Sequence, residues 1–218
     1  MVKKMDYGNM LGDSFEYAKE GLMGKWMKWI LLIICTIIFP LIGGYIVRIL
    51  KGAKPSPELE DWGALFIDGI KLFIVHIIYM IPVIILWVIA MGSMIAGMAT
   101  GDESAVMAGL AGAGLIMLVM LIVAIIIGLF EATAVIRFAR TGSIGEAFNF
   151  SAILAHIGKI GWVSYIIALV IGMIIYGVVI TICNIIPIIG IILSLFVIPF
   201  MVVFMSRYIT LLYDSVGA

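Results

Sequence analysis

Residues 72–136 read LFIVHIIYMIPVIILWVIAMGSMIAGMATGDESAVMAGLAGAGLIMLVMLIVAIIIGLFEATAVI. Two apolar runs, Leu72–Ala99 and Ala105–Ile136, flank the short polar joint Thr100–Ser104 (TGDES). A bilayer-spanning helix needs about 20 mostly apolar residues, and each run exceeds that. So short a joint allows only an immediate return, so an antiparallel helical hairpin across a membrane is expected over 72–136. The pattern recurs at Trp162–Cys183 and Pro187–Ile209, joined at Asn184–Ile186, which gives a second hairpin over 162–209. Pro82 and Pro199 fall inside spans, where helix kinks are expected, with neighbouring helices satisfying the freed carbonyls.

Composition agrees with this reading. Hydrophobic residues make up 65% of the 218-residue chain and charged residues 12%, and the mean hydropathy is +1.29. Ordinary globular chains are about 45–50% apolar and about 25% charged, and one soluble core of this size could not hide the excess. A water-soluble enzyme, a disordered chain and a disulfide scaffold are excluded, leaving an integral membrane protein with a single membrane domain over 1–218. Cys35 and Cys183 lie in apolar runs, where cysteine behaves as a small hydrophobe. No cleavable leader is expected, because the first long apolar run follows a polar stretch and exceeds the length of a signal core.

That first run, Trp26–Leu50, is long enough to cross once, but its centre is Phe39-Pro40-Leu41-Ile42-Gly43-Gly44. A helix breaker followed by two glycines leaves two alternatives, a helix kinked at Pro40 or a re-entrant hairpin over 26–50. Charge favours the second. The 13 basic residues fall before the first run (Lys3, Lys4, Lys19, Lys25, Lys28), after it (Arg48, Lys51, Lys54, Lys71), between the hairpins (Arg137, Arg140, Lys159) and at the end of the last span (Arg207). The hairpin tips carry none. By the positive-inside rule the tips face out and the C-terminus faces the cytoplasm, and a re-entrant first run places every basic residue inside.

Three amphipathic segments, 1–25, 55–71 and 143–158, are expected to lie in the interface plane as helices. Their apolar stripes are Tyr7, Leu11, Phe15, Ala18 and Leu22; then Leu59, Trp62, Phe66 and Ile70; then Ile144, Ala147, Phe148, Ser151 and Leu154. Two of them align as an internal repeat. Gly12-Asp13-Ser14-Phe15 matches Gly145-Glu146-Ala147-Phe148, and Gly24-Lys25-Trp26 matches Gly158-Lys159 followed by Trp162. The outgoing ends Val47-Arg48-Ile49, Ile136-Arg137-Phe138 and Ser206-Arg207-Tyr208 also rhyme. Three units of surface helix plus hairpin result, the first with a shortened, Pro-Gly-broken hairpin.

With Pro40–Gly44-Tyr45 and Arg48, Asp61-Trp62-Gly63 through Lys71-Leu72, and Gly145–Phe148 with Gly158 and Trp162 in place, the chain resembles a prokaryotic membrane-protein family, domain of unknown function 4013, seen often in methanogenic archaea. The resemblance covers nearly the whole chain and implies no reaction, cofactor or catalytic residue. More distantly, the layout is similar to the membrane domain attached to some glycerophosphodiesterases, whose catalytic domain is missing here.

Ionisable groups inside spans are functional candidates by default. His76 and Glu131 are nearly equidistant from the joint near Asp102 and Glu103, so the hairpin should bring them level, with Asp68 level with Arg140. A proton or cation site at an inner gate is one reading of His76 and Glu131; a structural tie is the other. Arg48, Arg137 and Arg207, with Trp26 and Trp162, are candidates for contact with lipid headgroups. Trp29, Trp62, Tyr45, Tyr165, Tyr208 and Tyr213 complete an expected aromatic belt. Small residues at four-residue spacing, Ala105-Gly109-Ala113, Ala124-Gly128-Ala132 and Ala168-Gly172, should let helices approach closely. The methionines are scattered rather than set at ligand spacing, and dinucleotide, phosphate-loop and zinc motifs are missing. No catalytic residue, metal or cofactor is therefore expected. The expected class is an all-α polytopic cell-membrane protein with two antiparallel hairpins, an interrupted first segment and three amphipathic interfacial helices. Its partners are the lipid bilayer and either a protein partner or further copies of itself, not nucleic acid. Two functions stay open: a non-catalytic scaffold or accessory protein, or a small transporter or channel.

Overall fold

A computed structural model describes residues 5–185 and 187–217. Among these the chain is all-helical, with eight α-helices: α1 (Tyr7–Leu22), α2 (Trp26–Ile37), α3 (Phe39–Leu50), α4 (Trp62–Ala99), α5 (Glu103–Thr141), α6 (Phe150–Ile160), α7 (Trp162–Asn184) and α8 (Pro187–Asp214). Four are long and apolar enough to cross a membrane: α4, α5, α7, and α8 from Ile192 onward. Lys3, Lys4 and Ile186, all used in the sequence argument, lie outside the described residues. Two compact units are distinguished, one of Val75–Glu131 and one of the remaining residues.

In the larger unit, the first apolar run is folded back on itself. Helix α2 ends at Ile37, Ile38 leaves helical geometry (φ −93°, ψ 84°), and α3 resumes with Pro40 in its first turn. Proline is at home there because its missing N–H would have had no partner, so the interruption falls at Ile38 and not at Pro40. At ~1.5 Å per residue each of these 12-residue helices is roughly 18 Å long, short of the ~30 Å hydrocarbon core. Their outer ends meet: Lys25 and Lys28 of the α2 end reach the Glu58 carboxylate, and Arg48 of α3 donates to the Glu58 carbonyl.

Glycine decides how α3 seats. A Cβ on Gly44 would lie 1.8 Å from the Leu65 carbonyl oxygen, and one on Gly69 would lie 1.6 Å from that of Pro40. Helices α3 and α4 therefore touch backbone to backbone. The core around this contact joins Tyr17, Leu22, Leu32, Cys35, Tyr45, Leu65, Val203 and Phe204. Helix α8 is its hub, packing on α1, α2, α3 and α7. Both cysteines are buried free thiols.

The surface segments differ from expectation in extent. Pro55–Asp61 is not helical, and the second segment is the opening of α4, which runs unbroken from Trp62 through Pro82 to Ala99. The third starts as a 3-10 turn, Ile144–Phe148, before Asn149 caps α6 by accepting from the Ala152 N–H. The stripes divide between two surroundings: Phe15, Trp62, Phe66, Ile70 and Leu154 are exposed, Ala18, Leu22 and Ala147 are buried, and Ser14, Tyr17, Leu65, Gly69, Ile153 and Ile157 also face the protein. A bilayer supplies no hydrophobic force that drives large side chains inward, so small and fitted residues take the contact faces.

The smaller unit is the remainder of the α4–α5 pair. Ser93 Oγ donates to the Gly109 carbonyl, and a Cβ on Gly97 would meet the Ala105 carbonyl oxygen at 2.6 Å. The Ala105-Gly109-Ala113 stripe thus forms the contact. Gly128, in the second stripe, has open space before it. In the third, Gly172 meets Met205 and Tyr208 of α8.

Candidate functional site

Helix α4 carries His76 and α5 carries Glu131, and the antiparallel pairing places His76 Nδ1 2.5 Å from Glu131 Oε1. The His76 side chain is 55% exposed and that of Glu131 15%. An imidazole and a carboxylate at this distance share a proton-bearing hydrogen bond, so the pair can hold, accept or pass on a proton. Among the described residues no group of three His, Cys, Asp or Glu side chains converges.

Asp68 and Arg140, expected level with each other, do not pair but both reach the end of α3. Asp68 pairs with Lys51 and Lys71, whereas Arg140 donates to the Leu50 carbonyl and to the Asp214 carboxylate. The end of α3 supplies a competing partner to each, which hairpin arithmetic on α4 and α5 alone could not show.

The three outgoing arginines share a role that their rhyme in sequence hinted at. Arg48 donates to the carbonyls of Glu58 and Asp61, and the Asp61 carboxylate accepts from the Ala64 N–H at the start of α4. Arg137 pairs with Glu146. Arg207 donates through Nε to Asp13 at 2.8 Å and lies over the Tyr17 ring, 5.0 Å from its centroid. Each of these outgoing arginines is thus tied to the next surface segment, and the last closes onto the first. Asp13 and Glu146, which answer the arginines, are the aligned acids of the repeat.

The electrostatics follow these ties. The Arg207 hydrogen bond holds the Asp13 carboxyl below the usual range against the opposing effect of burial, with help from Lys54. The Arg137 hydrogen bond does the same for Glu146. Burial pushes the Tyr17 phenol up to about 12. On α6, burial pushes the His156 imidazole down; its ring stacks on Tyr213 and its Nε2 donates to the Tyr213 carbonyl at 3.0 Å.

The aromatic belt divides by chemistry. Trp26, Trp62 and Trp162 are exposed. Tyr45, Tyr165 and Tyr208 are buried, with their hydroxyls bonded to Ser56 and Pro57, to Thr133, and to the Ala168 carbonyl. A phenol needs a partner when taken from water, and the chain supplies one. Sequence reasoning passed over Asp13, Glu146, His156 and Lys28; the aligned Gly-acid pairs were the signal that could have found the first two. Lys28 is buried, with its ammonium on Ser56 and Glu58.

Two grooves mark the larger unit. One, of about 320 Å³, is lined by Asp13, Glu16, Tyr17, Glu20 and Lys54. The other, of about 470 Å³, runs along α8 beside α1, α2 and α7 and is lined by apolar side chains alone.

A protein-family model described as "Protein of unknown function (DUF4013)" matches residues 29–188. No curated protein and no solved structure matches the chain.

Proposed function

The chain belongs to the DUF4013 family of proteins of unknown function, so its role has to come from its own geometry, and we propose that it is a non-catalytic membrane scaffold that organises lipid or a partner complex at the inner face of the cell membrane. The observation that carries this is the closed set of arginine ties. Arg48, Arg137 and Arg207 each bind the next surface segment, which makes the surface helices a fixed plate. Phe15, Trp26, Trp62, Phe66, Phe150 and Trp162 project from that plate as exposed aromatics. Rigid aromatic rings at an interface suit contact with lipid or with another membrane protein. In this reading the hairpin tips face outward, the surface segments and C-terminus face the cytoplasm, and the folded-back first segment is re-entrant.

The test is purification of the tagged protein from its native membrane in mild detergent, followed by mass spectrometry of everything retained. A stoichiometric protein or a defined lipid is expected. A clean preparation retaining neither would overturn the scaffold.

One observation favours a second reading. The His76–Glu131 contact at 2.5 Å is what a proton or cation gate of a small transporter would need. In proteoliposomes that gate would give a flux abolished by Glu131→Gln, and the scaffold would give none.

A further inference from the structure

The apolar groove on α8 has a charge standing at its rim. Phe15 of α1 and Met23, the residue that caps α1 with its N–H on the Lys19 carbonyl, line it, and Lys19 lies midway between them in sequence, four residues from each. Residues four apart share a helix face, so the three stand in one row. Lys19 is exposed, and Glu16 and Glu20 line the other groove instead. Trp29 forms a second part of the rim, and Trp26 stacks on it at 5.8 Å with 65% of its surface exposed.

The dimensions are informative. The α8 lining runs from Leu193 to Phe204, roughly 16 Å at ~1.5 Å per residue. That is about half of the ~30 Å hydrocarbon core, the depth of one leaflet. The Phe200 side meets the surface helix through Phe15, with ring centroids 5.6 Å apart. The Leu193 end lies toward the tip of the α7–α8 pair, where Gly190 closes on Cys183. An apolar slot one leaflet deep, with a cation in the row of α1 that borders it and an indole pair packed beside Phe196 and Phe200, fits one kind of occupant.

We propose that this groove is a specific lipid site, in which one hydrocarbon tail lies along α8 and an anionic phosphate headgroup rests against Lys19 and Trp26. The inference rests on the lipid-organising reading above and names its site. The apolar lining recognises the tail by shape, because within a bilayer fit replaces hydrophobic drive. The ammonium selects the charge of the headgroup.

Native mass spectrometry of the full chain tests it, by titration with dioleoylphosphatidylglycerol against dioleoylphosphatidylcholine. One tight phosphatidylglycerol is expected, with phosphatidylcholine bound several-fold more weakly. Lys19→Ala should weaken phosphatidylglycerol about fivefold. Val179→Trp or Leu193→Trp, each filling the groove, should remove the tight site, while Leu121→Trp on the exposed face of α5 should leave it. Equal binding of the two lipids, or an unchanged tight site in a groove-filled variant that melts like the parent, overturns the proposal. If a protein partner still co-purifies in that event, the scaffold reading survives the loss of this site; if nothing co-purifies, both fall.

Discussion

Removing the Asp13 carboxylate should destabilise the protein more than removing it together with Arg207. The Arg207 side chain is 8% exposed and that of Asp13 33%, so the pair is neither a surface bridge nor fully dry. Exposed pairs contribute about 0–1 kcal/mol, and breaking a buried pair from one side costs about 3–5 kcal/mol, because a charge is left without a partner. A value of about 2–3 kcal/mol for Asp13→Asn lies between these limits. In a chain of this length each kcal/mol moves the melting temperature by about 2–4 °C, so a fall of about 4–12 °C is expected. Combining Asp13→Asn with Arg207→Met removes the stranded charge and keeps much of the packing over Tyr17. Replacing both ions of a buried pair is often nearly neutral, so the double variant should lie within about 1 kcal/mol of the parent. Cys35 and Cys183, both buried, provide the assay: a thiol-reactive dye reports unfolding in detergent as temperature rises. A double variant melting at or below Asp13→Asn would refute the reasoning.

The glycine contact gives a test with opposite signs. Gly44→Ala or Gly69→Ala drives a methyl into a backbone carbonyl and should cost at least about 3 kcal/mol. Gly12→Ala in α1 meets open space and should be neutral or stabilising by up to about 1 kcal/mol, both read in the same dye assay. His156 predicts a pH dependence. Its folded pKa is depressed below the ordinary 6.5 by burial, with Lys159 and Arg137 adding to the effect and the Tyr213 hydrogen bond and Asp214 opposing it. The unfolded chain therefore binds the proton first. The stability that His156 contributes is complete above pH 6.5 and is lost as pH falls toward the folded value. Melting temperature should drop between pH 7.5 and 5, and His156→Gln should flatten that drop; parallel profiles for the two proteins would exclude the assignment.

Features set by length and spacing were legible in the sequence. Two long runs around TGDES can form only a tight pair, and symmetry about Asp102 and Glu103 brings His76 to Glu131. One step further along Asp68 and Arg140 do not pair with each other, because the end of α3 captures both. Apolar periodicity located the surface segments and part of the face that meets protein, Ala18 and Leu22 among it. Phe15 and Phe66 look outward because lipid accepts them as readily as a core does. The Pro40–Gly44 stretch read as a helix breaker, and its glycines in fact serve close contact with α4. Of the residues expected in the belt, only Trp26, Trp62 and Trp162 are exposed. The buried tyrosines found partners far along the chain, such as Tyr208 with Ala168, and no local pattern announces such pairs. The arginine ties were half visible, since the repeat marked both partners without joining them.

The tie between Arg207 and Asp13 spans 194 positions of the chain, and this sets an order of events during synthesis. Helix α1 leaves the ribosome well before α8, the helix it packs on most extensively. Until then Asp13 has only Lys54 to answer it, and the face of α1 bearing Tyr17, Ala18 and Leu22 has nothing from α8 to cover it. Helix α1 is therefore fully secured only once α8 is made, and a nascent chain arrested before residue 207 should leave α1 more open to protease while the α4–α5 pair is already in place.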